Sequence, residues 1–300
     1  MSLPEGVSAI LAPNPSPMTL QGTNTYIVAG SEGCVIIDPG PEIESHQAAV
    51  AEAARAHGGA RALLVTHGHP DHIDGAALLR TLTGAPIWAY SREGTPVADA
   101  TLTDNTLIPV SGRYLRTLFT PGHRFDHLCY LLEDTGTIFA GDLVAGSGTV
   151  VIAPPEGDLS DYLTSLRRLL ALDPRDIGRL APGHGPTRED ARALLEGYIA
   201  HREQREQQLL AALTAADTPQ GQRVSELVER IYTDVAPEMW PVAAYSTLAG
   251  LLKLERDGRV ERLASGPGEV APPPTRTPLA LEGVVGRPAG LDARWRLSRG

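Results

Sequence analysis

Cysteine is scarce in this 300-residue chain. There are two, Cys34 and Cys129, each inside an apolar, strand-like run. Buried free thiols in a reducing compartment are the expectation, rather than a disulfide framework. An excess of positive charge is also missing: 26 Lys and Arg stand against 36 Asp and Glu, a formal net charge of −10. That argues against broad, unspecific nucleic-acid binding, which needs a positive field, but leaves room for a local basic groove. No apolar run approaches the roughly 18 residues that a membrane span needs. The opening Met1-Ser2-Leu3-Pro4-Glu5 has neither the basic stretch nor the apolar core of a secretory signal. A cytoplasmic protein with no membrane partner is therefore expected. With 42% hydrophobic and 21% charged residues, the chain has the material for one large or two ordinary globular domains.

Histidine, by contrast, is concentrated. Three of nine fall within six residues of Thr66-His67-Gly68-His69-Pro70-Asp71-His72. An apolar run at 62–65 precedes them and reads as a short buried strand; residues 73–82 read as a helix. The cluster is thus expected on a loop at a strand's carboxyl end, with Gly68 and Pro70 letting it fold back on itself. Neutral imidazoles beside a carboxylate suit Zn²⁺ and its first-row neighbours.

The same arrangement recurs along the chain. A short apolar strand ends, a Gly or Pro turn follows, and a His or Asp stands at the exit. This gives His67 and His69, then His123 in Pro-Gly-His, Asp142 in Gly-Asp, and His184 in Pro-Gly-His-Gly. One such histidine would be ordinary in a core; four exits delivering ligand-type side chains are not. Asp38 ends the run at 34–37 and is expected to back a ligand imidazole, since such rings need a partner on their other nitrogen. Hairpins are expected over 25–37 and 128–140, and helices over 44–57, 159–172 and 189–216.

These motifs, in order and spacing, resemble the metallo-β-lactamase fold superfamily, whose HxHxDH signature matches His67, His69, Asp71 and His72. The likeness covers about residues 15–200. Within the superfamily the chain is similar to LACTB2-like hydrolases, glyoxalase-II-like proteins with a C-terminal winged helix, through 19–26, 120–127, 161–166 and 198–202. The resemblance implies an α+β fold: an αββα sandwich with the site at one edge, followed by a small winged-helix domain. It implies two divalent metal ions, Zn²⁺ first, with Mn²⁺ or Fe²⁺ as alternatives. His67, His69 and His123 would hold one ion, and Asp71, His72 and His184 the other, with Asp142 between them. A bridging hydroxide would be the nucleophile, oriented by Asp71. His127 is a candidate proton donor to the leaving group. Asn24, Arg124 and Arg202 are candidate substrate contacts. Di-iron redox relatives typically carry Glu in place of the second His, so His69 favours hydrolysis. One departure stands out: Arg124-Phe125 replaces the family's frequent Thr-Asp after the Pro-Gly-His motif, which alters the expected substrate mouth.

Domain limits are placed at 1–200 for the catalytic part, 201–264 for the winged helix, and 265–300 for a Pro- and Gly-rich tail with little core of its own. Three helices, a Gly turn and a strand at 260–263 support the middle assignment. Its third helix has few basic residues, so packing against the cleft or supporting a homodimer is favoured over reading nucleic acid. The resemblance implies metal-dependent cleavage of single-stranded RNA, with ester or thioester hydrolysis as the alternative. A nucleic-acid-binding regulator with a vestigial metal site is a third possibility that the complete ligand set disfavours.

Overall fold

The computed structural model describes residues 3–216, 218–263, 288 and 290–298. The first layer pair contains β1 (Val7–Leu11), β2 (Asn24–Ala29), β3 (Cys34–Ile37), α1 (Glu44–Ala56), β4 (Ala60–Leu64), one helical turn α2 (Pro70–Ile73), α3 (Ala76–Thr83), β5 (Ile87–Ala89) and β6 (Ala100–Thr101). The second contains β7 (Leu107–Val110), β8 (Arg113–Phe119), β9 (Leu128–Leu132), β10 (Thr137–Gly141), α4 (Leu159–Leu170), β11 (Arg179–Pro182) and α5 (Ala191–Ala216). The chain continues with β12 (Gln222–Arg223), α6 (Val224–Ile231), α7 (Trp240–Arg256), β13 (Val260–Leu263) and β14 (Arg294–Leu297).

Six strands form one mixed sheet in the order β1-β2-β3-β4-β5-β6, and five form a second in the order β11-β10-β9-β8-β7. Alternation along each strand explains the layers. Tyr26, Val28, Val35, Ile37 and Leu64 point inward and meet Leu115, Tyr130, Leu132 and Phe139 of the other sheet. Their neighbours Ile27, Ile36 and Leu63 point outward onto Val50, Ala54 and Leu79 of α1 and α3. On the far side, Cys129, Leu131 and Ile138 are covered by Tyr162 and Leu166 of α4 and Leu195 and Tyr198 of α5. Strands buried on both faces read as continuous apolar runs, which is why 34–37 and 128–132 show no polar alternation. This is the expected αββα sandwich. Both cysteines are free and buried. Among the described residues, no helix is long and apolar enough to cross a membrane.

The C-terminal part is a winged helix: the distal half of α5, then α6 and α7, with a small sheet ordered β12-β14-β13. Its core joins Leu209 and Leu213 of α5 to Leu227, Ile231, Leu248 and Leu251. Two boundaries differ from the sequence reading. α5 is one 26-residue helix, so the division at 200 falls inside it; a helix that packs on both halves carries no composition break. The stretch 265–300 is not a tail throughout. β14 pairs along all of β13, from Val260↔Leu297 to Leu263↔Arg294, and fills the centre of the small sheet. Trp295, which the sequence leaves without a role, is fully buried there, and its indole N–H donates to the Gly290 carbonyl. The remainder, 264–287, 289, 299 and 300, lies outside the described residues.

Candidate metal centre

The exits of β3, β4, β8, β10 and β11 meet at one edge of the sandwich. β3 and β4 are parallel neighbours, with Ile37 beside Leu64, so Asp38 and Thr66 emerge side by side. The Asp38 carboxylate accepts from the Thr66 backbone N–H and hydroxyl, both at 2.8 Å, and faces His72 Nδ1 at 2.8 Å. His69 then caps α2, with Pro70 at the first helical position. Asp71 and His72 therefore project from a helical turn, not from the folded-back loop expected from sequence. Gly68 is required for close approach: a Cβ there would lie 1.8 Å from the Gly94 carbonyl oxygen.

Seven side chains converge. His69 Nδ1 lies 2.9 Å from His67 Nε2 and 3.0 Å from His123 Nε2. His184 Nε2 lies 3.3 Å from His72 Nε2 and 3.1 Å from Asp71 Oδ2. Asp142 stands between the groups: Oδ1 is 3.4 Å from His184 and 3.5 Å from His72, and Oδ2 is 3.7 Å from His123. Gly183 crosses close behind, since a Cβ there would meet His72 Cε1 at 2.6 Å and Asp142 at 2.7 Å.

These separations suit a cation. Metal–nitrogen bonds of ~2.0–2.1 Å in a tetrahedron space ligand atoms about 3.3 Å apart. The tautomers agree. His123 Nδ1 donates to the Val151 carbonyl and His184 Nδ1 to the Gly22 carbonyl. Thr66 gives its own proton to Asp38, so its oxygen accepts from His67 Nδ1 at 3.0 Å. With Asp38 accepting from His72, four rings keep an N–H outward, so that each, once neutral, turns a lone pair inward. Hydrogen bonding alone would not set so many imidazole nitrogens face to face. The donors fall into trios able to hold a metal: His67, His69 and His123; Asp71, His72 and His184; and His67, His72 and Asp142.

Protonation divides the set in the same way. Burial first, then neighbouring imidazoles, holds His67 and His69 well below the ordinary histidine value, and His123 is lowered as well. Burial pulls His184 and His72 down too, but the carboxylates outweigh it. Asp142 with Asp71 raises His184 to about 10, and Asp71 with Asp38 raises His72. A raised imidazole keeps its proton until the pH passes its folded value. Competition with a cation is thus strongest at low pH and fades toward about 10. Titrating Zn²⁺ into stripped protein in weak buffer near pH 7 should release protons, and apparent affinity should climb between about pH 6 and 9. Flat affinity without proton release would show that both rings are neutral beforehand.

Four residues expected to act on substrate do other work. His127 is fully buried. Its Nε2 accepts from the Asp142 backbone N–H at 3.1 Å, its Nδ1 meets Thr120 Oγ1 at 3.0 Å, and burial, then charge on His123, pushes it down to about 3. It positions the Asp142 backbone, and its one remaining N–H, on Nδ1, faces Thr120 rather than the cleft. Asn24 donates to the carbonyls of Pro182 and Gly185 and so fixes the loop carrying His184. Arg202 is buried over the Tyr162 ring and donates to Thr149 Oγ1 and the Val150 carbonyl. Arg124 is buried between Asp126 and Glu156, and Asp126 in turn accepts from Gly68 N–H. The Arg124 substitution thus clamps the histidine loop instead of reshaping the mouth with free charge.

Over the ligands opens a cleft of ≈ 430 Å³ lined by residues 14–19, Val151, Ala153, Glu156, Met239 and Val242, besides ligand side chains. Glu156, 3.9 Å from His69 Nε2, was not foreseen. It sits in Pro-Pro-Glu-Gly, which has no metal or catalytic spacing. The contribution of Val151 is a backbone carbonyl, to which sequence is blind.

The metallo-beta-lactamase superfamily pattern matches residues 18–184, and a beta-lactamase-associated winged-helix pattern matches 224–268. A beta-lactamase-like protein 2 homolog of Drosophila melanogaster is 33% identical over 278 residues, 86% of this chain and 90% of that protein. An atrochrysone carboxyl ACP thioesterase of Aspergillus fumigatus is 34% identical over 272 residues, 85% and 82% of the two chains. Among solved structures, a metallo-beta-lactamase family protein from Thermus thermophilus superposes with a TM-score of 0.71 at 24% identity, covering 88% of this chain and 97% of that one.

Proposed function

Because the chain belongs to the metallo-beta-lactamase superfamily, we propose that it is a metal-dependent hydrolase whose substrate is a thioester, held over a two-cation site. His67, His69 and His123 would hold one ion and Asp71, His72 and His184 the other, with Asp142 shared. Bound cations of this kind supply Lewis acidity, polarising the scissile carbonyl and lowering the pKa of the attacking water. The rest is the work of the chain. Asp38 and Thr66 hold His72 and His67 in the tautomers that face inward. Asp71 lines the cleft and stays ionised at about 2: burial would raise it, but His72 and His184 lower it further. It can accept a hydrogen bond from water and orient it. His127 fixes the Asp142 backbone.

The observation that carries the choice of substrate is the charge of the cleft wall. Among the described residues lining it there is no Arg or Lys, and Glu156 adds a carboxylate. Arg124 and Arg202, the cations foreseen for a phosphate, are buried in internal contacts. A polyanionic RNA strand gains most of its affinity from such cations. The leaving group points the same way. His127 is buried with its Nδ1 turned to Thr120, and a thiolate, whose conjugate acid has a pKa of about 8.5, departs without a proton donor far more readily than an alkoxide. The thioesterase among the relatives is in keeping with this reading.

The basic residues of α7 are engaged within the protein. Lys253 of α7 pairs with Glu206 and Asp257, and Arg256 pairs with Asp158 at 2.7 Å, docking the helix on α4 of the catalytic part. The test is a panel of acyl thioesters, oxyesters and single-stranded RNA offered to metal-analysed protein. Thioesters should turn over fastest, with no turnover after chelation. RNA cleavage outpacing thioester hydrolysis would overturn the choice and restore the phosphodiester reading.

A further inference from the structure

The chain contains three methionines. Met1 lies outside the described residues; Met18 and Met239 both line the cleft above the metal ligands. They come from opposite ends of the sequence and from different domains. Each is presented by a built turn. Ser16 Oγ accepts from the backbone N–H of Met18 and Thr19, and Thr19 Oγ1 donates to the Asn14 carbonyl, closing the loop tightly beneath Met18. That leaves Met18 41% exposed on the cleft, where its side chain is open to a ligand. Met239 ends a 3₁₀ turn, Pro237–Met239, immediately before α7. There the Trp240 indole N–H donates to the carbonyls of Tyr232 and Val235 and locks the turn. Val242, one turn along α7, lies beside it on the cleft.

We propose that Met18 and Met239, with Val242 and Val151, form an acyl-binding wall, and that the winged helix thereby sets the enzyme's preference for thioesters of long apolar acyl groups. This rests on the thioesterase reading of the metal centre and deepens it. Methionine suits such a wall because it is flexible, polarisable and adapts to apolar ligands of varied shape. The wall is continuous with the ligands His69, Asp71, His123 and His184 on the same cleft, so a chain lying along it would hold its carbonyl end toward the metals. A cleft of this volume with mostly apolar lining is of ordinary size for a small-molecule site.

The experiment compares acetyl and decanoyl thioesters of N-acetylcysteamine in the intact, metal-loaded protein and in Met18→Gln, Met239→Gln and Met239→Leu. Decanoyl should have the lower KM. Each glutamine should raise that KM roughly tenfold and shift the acetyl ester's KM by a much smaller factor, and leucine should restore the decanoyl value. Equal KM for the two chain lengths, or glutamine variants with unaltered KM, would overturn the wall. Binding of the non-hydrolysable decyl thioether, followed by calorimetry, separates this inference from the reaction. If no thioester is hydrolysed but the thioether binds, and binds about tenfold weaker to the glutamine variants, the wall stands and the reaction reading falls. If it binds all variants alike, or none, the wall is refuted.

Discussion

Replacing His69→Ala should lower kcat/KM by at least about 10³-fold, some 4 kcal/mol of transition-state stabilisation, for whichever substrate the protein turns over. His69 Nδ1 is the shared neighbour of His67 and His123 in their trio, so its loss leaves that group two ligands. The side chain is partly exposed at the cleft and ends the loop before α2, so the fold should survive. Thermal unfolding of the stripped variant should match that of the stripped parent, while elemental analysis should show about one cation fewer per chain. Undiminished turnover with full metal content would remove His69 from the site.

The second large effect is at Asp38, which touches no substrate. Asp38→Ala would strip the acceptor from three buried donors: the Thr66 N–H, the Thr66 hydroxyl and His72 Nδ1. At about 1–3 kcal/mol for each unsatisfied group, a loss of roughly 3–9 kcal/mol is expected, a large share of a typical domain's stability. Asp38→Asn separates packing from chemistry. Asparagine tolerates the φ of 53° at this position, and its oxygen can still accept from Thr66 N–H. Its amide would face His72 Nδ1 as a donor, however, driving the ring to the tautomer whose proton sits on Nε2, where a ligand lone pair is needed. Metal affinity should fall about 10–100-fold with a smaller stability loss. Equal metal affinity in the Asn variant and the parent, read by competition with a chelating dye, would show that the tautomer is set elsewhere.

The ligands were legible because their spacing is local chemistry. His67 through His72 lie within one short stretch of chain, and the other three each follow a short apolar run ending in Gly or Pro. The sandwich was legible for the same reason: strands covered on both faces announce themselves as unbroken apolar runs. What sequence concealed depends on distant partners. β1 begins in a Pro-rich stretch and exists because it pairs with β2. β14 lies some thirty residues beyond β13, and Trp295 finds its burial only across that gap. Arg124 and Arg202 carry the charge expected of substrate contacts; their burial by Asp126, Glu156 and the Val150 carbonyl is a property of the folded chain alone. His127 shows the limit most sharply. Four residues past a ligand, its position in sequence suggests a proton donor, and it is instead an acceptor for a backbone N–H.

The unbroken course of α5 bears on how the protein can be dissected. Tyr198 receives the Ala145 N–H on its hydroxyl, and Arg202, one turn later, grips the Val150 carbonyl; Leu209 and Leu213 then enter the other core. Severing the chain near residue 200 would therefore split a single rod between two of its own anchor points. Neither fragment would be a faithful specimen of the half it was meant to represent, and an inactive truncation would say nothing about which half does the chemistry.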